Sequence, residues 1–204
     1  DDIIELARSL NKPCVFFTRD VKENMNYISI DCNAAIYEMT NYLIKEGHKK
    51  IVFVSDFADR TSVEQDKIAG YMRAIEDNDL KFSNIYVVGG GKHSKAYELG
   101  KTIVKDHKNF TAVVCSNDEI AIGIMDSFID NGVKVPDDVS VVGFGNIREG
   151  KFVRPELTTV GEPYYDVGAV GMRMLIKTIK GDKTQRGLME LPFTIEKKSS
   201  VKSI

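Results

Sequence analysis

The stretch "VPDDVSVVGFGNI", Val135–Ile147, decides how this chain is read. A polar turn leads into Val139, Val141 and Val142, and the run stops at Gly143 and Gly145, where no side chain blocks an approach. A short apolar run bounded by turn residues is the pattern of a strand buried on both faces, as in a parallel sheet. Open α/β sheets present their ligands at the carboxyl ends of such strands. The chemistry of the protein is therefore sought at and beyond Phe144.

The same rhythm recurs on the amino-terminal side. "CVFF" after Pro13, "YISI" at Tyr27–Ile30, "KIVFVS" at Lys50–Ser55, "IYVV" before Gly89 and "AVVC" at Ala112–Cys115 read as strands. Helical faces fall between them. Ile36, Met39, Leu43 and Ile44 recur at helical spacing and stop at Gly47, and Ile68, Tyr71, Met72 and Ile75 mark a helix over Val63–Asp77. A third helix is expected from about Ser94 to Asp106. Ile120, Ala121, Ile124, Met125, Phe128 and Ile129 mark a fourth, ended by Gly132. Repeated strand–helix–strand units predict an α/β fold with a parallel sheet covered by helices on both faces. After Phe144 the rhythm breaks. An irregular stretch through Pro155 leads to "LTTV", a helix over Tyr165–Ile179, and a last extended pair around "GLMELPFTIEKK". Two lobes that exchange segments of chain would produce that order.

Composition narrows the functional classes. The 204 residues are 43% hydrophobic and 28% charged with a net charge of −2, an ordinary globular balance with no basic excess to grip a phosphate backbone. Three cysteines, Cys14, Cys32 and Cys115, lie far apart and show neither a disulfide framework nor zinc-ligand spacing. Reduced thiols in a cytosolic protein are the reading they support, and no apolar run is long enough to span a membrane.

Catalytic patterns are missing. There is no G-x-S-x-G elbow and no H-E-x-x-H, and His48, His93 and His107 lie at unrelated loop-like positions that read as surface histidines. "GGGK", Gly89–Lys92, sits between a strand and a helix but lacks phosphate-loop spacing, so a flexible loop is the reading it supports. "CSNDE", Cys115–Glu119, begins the amphipathic helix. Ser116 and Glu119 have capping-box spacing and Asn117 is an alternative cap, while the same amide is placed to bind a small polar ligand. Both readings stand. Taken alone, Lys67 reads as a solvated helix lysine and Asp31 as a helix cap.

"YLIKEGHKKIVFVS", "DKIAGYMRAIED", "AVVCSNDEIAIGIMD", "VPDDVSVVGFGNI" and "PELTTVGEPYYDVGAVGMRMLI" occur in this order. Together they resemble the effector-binding domain of the LacI/GalR family of bacterial transcription regulators, over nearly the whole chain. Within it, "VRPELTTVGEPYYDVGAVGMRML" looks most like the catabolite control subgroup. The resemblance implies a periplasmic-binding-protein-like fold of two Rossmann-like lobes, crossed three times by the chain. Residues 1–47 and 161–187 would form the N-terminal lobe, and 48–160 with 188–204 the C-terminal lobe. Asp2–Arg19 matches a point well inside the N-terminal lobe. That lobe is therefore expected to be incomplete here, and the DNA-binding headpiece to lie outside this sequence.

The resemblance also implies a site. Lys67 stands where the family places a ligand-binding arginine, keeping the charge but losing the planar fork. Asn117 keeps the family's amide. Gly145, followed by Asn146, stands where an aspartate often grips sugar hydroxyls, and Ala34 replaces a commonly polar residue; Asp31 and Thr61 complete the effector-facing set. A sugar hydroxyl left without that acid would cost about 1–3 kcal/mol. The expectation is thus an anionic metabolite, such as a sugar phosphate, paired with Lys67, or else a weak site. Neither cofactor nor metal is implied.

In the catabolite control subgroup a seryl-phosphorylated phosphocarrier protein serves as a partner. Arg148, Lys151 and Arg154 in "NIREGKFVR" are cations suited to a phosphoserine, or simply a solvated basic loop. The resemblance further implies a homodimer through Ile124, Phe128, Phe152 and Val153, and operator DNA bound by the headpiece. The expected whole is a cytoplasmic effector sensor and not an enzyme. The alternative is a solute-binding protein feeding a transporter, which shares the fold.

Overall fold

A computed structural model describes residues 2–10, 12–17, 25–57, 62–90, 92–182 and 187–204. In chain order the elements are α1 (Asp2–Ser9), β1 (Val15–Phe16), β2 (Asn26–Ser29), α2 (Cys32–Lys45), β3 (Lys50–Ser55), α3 (Ser62–Asp77), β4 (Phe82–Val87) and α4 (His93–Ile103). There follow β5 (Ala112–Cys115), α5 (Asp118–Asp130), β6 (Ser140–Gly145), β7 (Thr158–Gly161), α6 (Tyr164–Ile179), β8 (Leu188–Glu190) and β9 (Thr194–Glu196). Short 3-10 helices at Val104–Asn109 and Arg148–Lys151 complete the set.

The chain divides into two compact units, residues 1–31 with 163–193 and residues 32–162 with 194–204. It therefore passes between units three times, after residues 31, 162 and 193. Residues 32–47, assigned to the first lobe from sequence, belong to the second unit. Ile36, Met39 and Leu43 on α2 are fully buried. The start of α2 meets α3 so closely that a Cβ on Gly70 would overlap the Asn33 carbonyl. The apolar face that makes α2 a helix is the face that commits it to this unit. The last extended pair also separates: β8 joins the first unit's sheet and β9 the second's.

The first unit holds a three-stranded parallel sheet, β1-β2-β8, with Tyr27 opposite Leu188 and Ser29 opposite Glu190. α6 lies on it where Gly171 faces the Phe17 ring and Ile28. Asn26 ties strand to helix through Thr178 Oγ1 at 3.0 Å.

The second unit holds a six-stranded sheet in the order β4-β3-β5-β6-β7-β9, parallel throughout except for β9, which runs antiparallel to β7. β3, β5 and β6 are buried almost end to end, which explains why they read as unbroken apolar runs. α5 lies over them with Ile120, Ile124, Met125 and Phe128 buried, and Phe128 packs against Phe110 at 6.4 Å between ring centroids. Gly132 takes φ +79° directly after α5, a left-handed turn that stops the helix without a Cβ penalty. From β3 the chain crosses first to β4 on one side and then to β5 on the other. The sheet therefore reverses its winding between β3 and β5, and the carboxyl ends of those strands open the crevice where such folds bind ligands.

Candidate functional site

Ser55 and Asp56 end β3, and Ser116 and Asn117 follow β5, on the two sides of that crevice. Ser116 N–H donates to the Val54 carbonyl, and Asp56 N–H donates to both Ser116 Oγ at 3.1 Å and Glu64 Oε2 at 3.2 Å. Ser55 Oγ donates to the same Glu64 oxygen at 2.7 Å. The first turns of α3 thereby seat two charged side chains in the crevice. Lys67 donates to the Ser116 carbonyl at 2.8 Å, lies 3.5 Å from Glu64 Oε1, and stands 4.1 Å above the centre of the Phe144 ring. Glu64 and Lys67 are each only 7% exposed. Lys67 is thus no solvated helix lysine, and its side chain brings the ends of β5 and β6 to the same point.

Asn117 caps α5, its Oδ1 accepting from Ile120 N–H at 2.8 Å. The cap uses the amide oxygen and not the Nδ2 donors, so the cap and ligand readings are compatible. Gly145 ends β6 at φ +129° and Asn146 follows at φ +52°, a reversal that any larger residue would strain at Gly145. Asn146 N–H donates to Thr159 Oγ1 at 3.3 Å, and Lys198 Nζ lies 3.5 Å from its Oδ1. Ala34 lies in the first turn of α2, beside the Asn33 that packs on Gly70, one turn beyond Lys67. Asp31 closes the first unit directly before α2. Thr61 lies outside the described residues.

Beneath this edge lies a buried acid that the sequence reading passed over. Asp118 Oδ1 accepts from Thr159 Oγ1 at 2.5 Å and Oδ2 from Ile147 N–H at 2.8 Å. Burial pushes its carboxyl above the usual range, opposed by those hydrogen bonds and by Lys198. A Cβ on Gly143 would overlap Oδ1, so the glycine noticed in the sequence makes room for this carboxylate rather than for a ligand. Glu64 was also passed over, although its i,i+3 spacing from Lys67 is a helix ion-pair signal.

Other expectations change in the fold. Ile124 and Phe128 are fully buried among α4, α5 and the sheet, so neither is available to a dimer partner; α5 is a core helix. Phe152 is 65% exposed, whereas Val153 packs partly against the core. Arg148 reaches the Phe152 ring at 5.5 Å, and Arg154 donates to the carbonyls of Lys151 and Val153, so both guanidinium groups turn onto their own loop; Lys151 is exposed.

The histidines also differ. His48 is not on the surface but 1% exposed, with Nε2 donating to the Lys202 carbonyl at 3.1 Å and Nδ1 2.9 Å from Thr111 Oγ1. His93 is partly exposed and pairs with Asp126 at 2.7 Å. Cys32 and Cys115 are buried, and neither is in a disulfide. Among the described residues no cluster of His, Cys, Asp or Glu is arranged to hold a metal, and no helix is long and apolar enough to cross a membrane.

The winding of the second sheet and the polar cluster at its reversal define an α/β ligand-binding fold. A model of the periplasmic binding protein-like domain matches residues 40–201, and the chain belongs to that family. It is similar to catabolite control protein A of Priestia megaterium, at 34% identity over 176 residues, which are 86% of this chain and 53% of that protein. The chain thus spans about half the length of this curated relative. Among solved structures, the transcription regulator CcpA of Lactococcus lactis matches with a TM-score of 0.84 at 27% identity, over 99% of this chain and 75% of that one. A LacI-family regulator from Enterococcus faecium, solved with bound ribose, shares the fold with a TM-score of 0.88 at 20% identity, over 99% and 75% of the two chains.

Proposed function

We propose that this chain is the effector-binding core of a LacI-family transcription regulator, sensing a small polar metabolite at the carboxyl edge of the second unit's sheet. The observation that carries the reading is the convergence of Lys67, Ser116 and Phe144 at the point where the sheet reverses its winding. The similarity to catabolite control protein A and the ribose found in the Enterococcus faecium regulator support a sugar-type effector over a role in transport. On this reading the protein has no catalytic residues. Effector binding shifts a two-state equilibrium by no more than its difference in affinity for the two states, and a headpiece beyond this sequence carries the response to DNA.

A thermal-shift screen against sugars, sugar phosphates and nucleosides tests it. A ligand at a hundred times its dissociation constant adds about 2.7 kcal/mol of stability. The expected result is a shift that is lost in Lys67→Ala and in Asn117→Ala, each first shown to be folded by circular dichroism. A shift that survives both substitutions places the ligand elsewhere and removes the reading.

A second input rests on the exposed loop at Arg148–Phe152. Its exposed Lys151 suits a seryl-phosphorylated phosphocarrier partner, whose phosphate would draw Arg148 and Arg154 off their own loop, and its exposed Phe152 suits a two-fold contact between copies of the chain.

A further inference from the structure

The ammonium that would attract an anionic effector already has a partner. Lys67 directs one donor at the Ser116 carbonyl, faces Glu64 Oε1 with a second and presses the remainder of its charge on the Phe144 ring. Glu64 in turn cannot easily turn away, because its other oxygen accepts from Ser55 Oγ and from Asp56 N–H. The two side chains are 9% and 10% exposed, so water screens the pair weakly and neither charge is free to leave. Asp56 is itself fixed beside them by accepting from Gly90 N–H at 2.8 Å.

The wider edge has the same balance. At the ends of β3 and β7 and on α3 stand Asp56, Glu64 and Glu162, against Lys67, Lys95 beside Gly89, and Lys198 beside Asn146. A phosphate brought to Lys67 would lie within a few ångströms of the Glu64 carboxylate. At that range the Glu64 carboxylate repels a phosphate about as strongly as the Lys67 ammonium attracts it, so the pair offers an anion no net attraction to set against its desolvation. An uncharged hydroxylated ligand meets no such penalty, and the amides of Asn117 and Asn146 offer it donors and acceptors.

We infer that Glu64 is the specificity-determining residue of this site, reserving it for uncharged hydroxylated effectors and excluding their phosphate esters. The inference rests on the proposed sensor role and reverses the sequence-based expectation of an anionic metabolite.

Isothermal titration of the 204-residue chain with ribose, glucose and their terminal phosphate esters tests it. In the unsubstituted protein a sugar is expected to bind at least tenfold more tightly than its ester. Glu64→Gln, which keeps the size of the side chain and an acceptor for Asp56, is expected to shift the ratio of ester to sugar affinity at least tenfold towards the ester. An ester that binds the unsubstituted protein as tightly as its sugar overturns the inference without needing a variant. Esters that bind both proteins alike overturn it while the sensor role stands. If nothing binds the unsubstituted protein but esters bind Glu64→Gln, Glu64 excludes esters as inferred, while its reserving the site for sugars is overturned together with the sugar-sensor role. If nothing binds either protein, both fall.

Discussion

Thr159 on β7 donates to Asp118 at the start of α5 across 2.5 Å, joining a strand and a helix start that are 41 residues apart in the chain. The same carboxylate accepts from Ile147 N–H, so one acid holds the turns after β5 and β6 against β7. Burial raises its pKa above the ordinary 3.8 despite these bonds.

An acid with a raised folded-state pKa holds its proton more tightly when folded. Its contribution is fully present below the unfolded value of about 3.8 and is lost as pH rises through the folded value. Urea unfolding of the unsubstituted protein and Asp118→Asn between pH 4 and 8 is expected to show the stability difference moving in favour of Asn as pH rises. A difference independent of pH would mean that Asp118 titrates as it does when unfolded.

His48 has the opposite sign. Burial lowers its pKa below 6.5, with the Lys202 carbonyl and Glu46 opposing the shift. The fold holds the neutral ring, so its contribution is present above 6.5 and is lost as pH falls through the lowered folded value. The unsubstituted protein is expected to lose more stability than His48→Gln between pH 7.5 and 5, read from unfolding midpoints. Equal losses would remove His48 as a source of acid sensitivity.

Gly123 lets α5 approach α4. A Cβ there would lie 2.5 Å from the His93 carbonyl and 2.8 Å from the Ala96 Cβ, neither of which is the far end of a flexible side chain. Gly123→Ala is expected to destabilise the protein by about 1–3 kcal/mol in chemical denaturation. A neutral substitution would show that the helices separate at little cost.

Phe128 and Phe152 separate core from surface. Phe128→Ala should cost about 3–5 kcal/mol, as for a large buried ring. Phe152→Ser should change stability by no more than about 0.5 kcal/mol, because the ring is exposed. If the loop joins two copies, the Phe152 variant sediments as a monomer under conditions where the unsubstituted chain is a dimer. Equal sedimentation at every concentration would take the contact away from Phe152.

The sequence by itself determined most of the elements and the class of fold. The unbroken runs Ile51–Val54, Val113–Cys115 and Val141–Val142 are strands because a strand buried on both faces must be apolar at every position. The stop of α5 at Gly132 is equally local, since it depends on the backbone of one residue. Only the tertiary structure decided which unit takes α2, how β8 and β9 part company, and that Ile124 and Phe128 are core. An amphipathic pattern shows that a face will be covered but not by what. The same holds for the site. Lys67 meets Ser116 across 49 residues of chain, and His48 meets Lys202 across 154. A lysine in a helix and a histidine in a loop look solvated until distant strand ends and a returning tail close over them. Their chemistry is set by desolvation and by partners that come together only when the chain has folded.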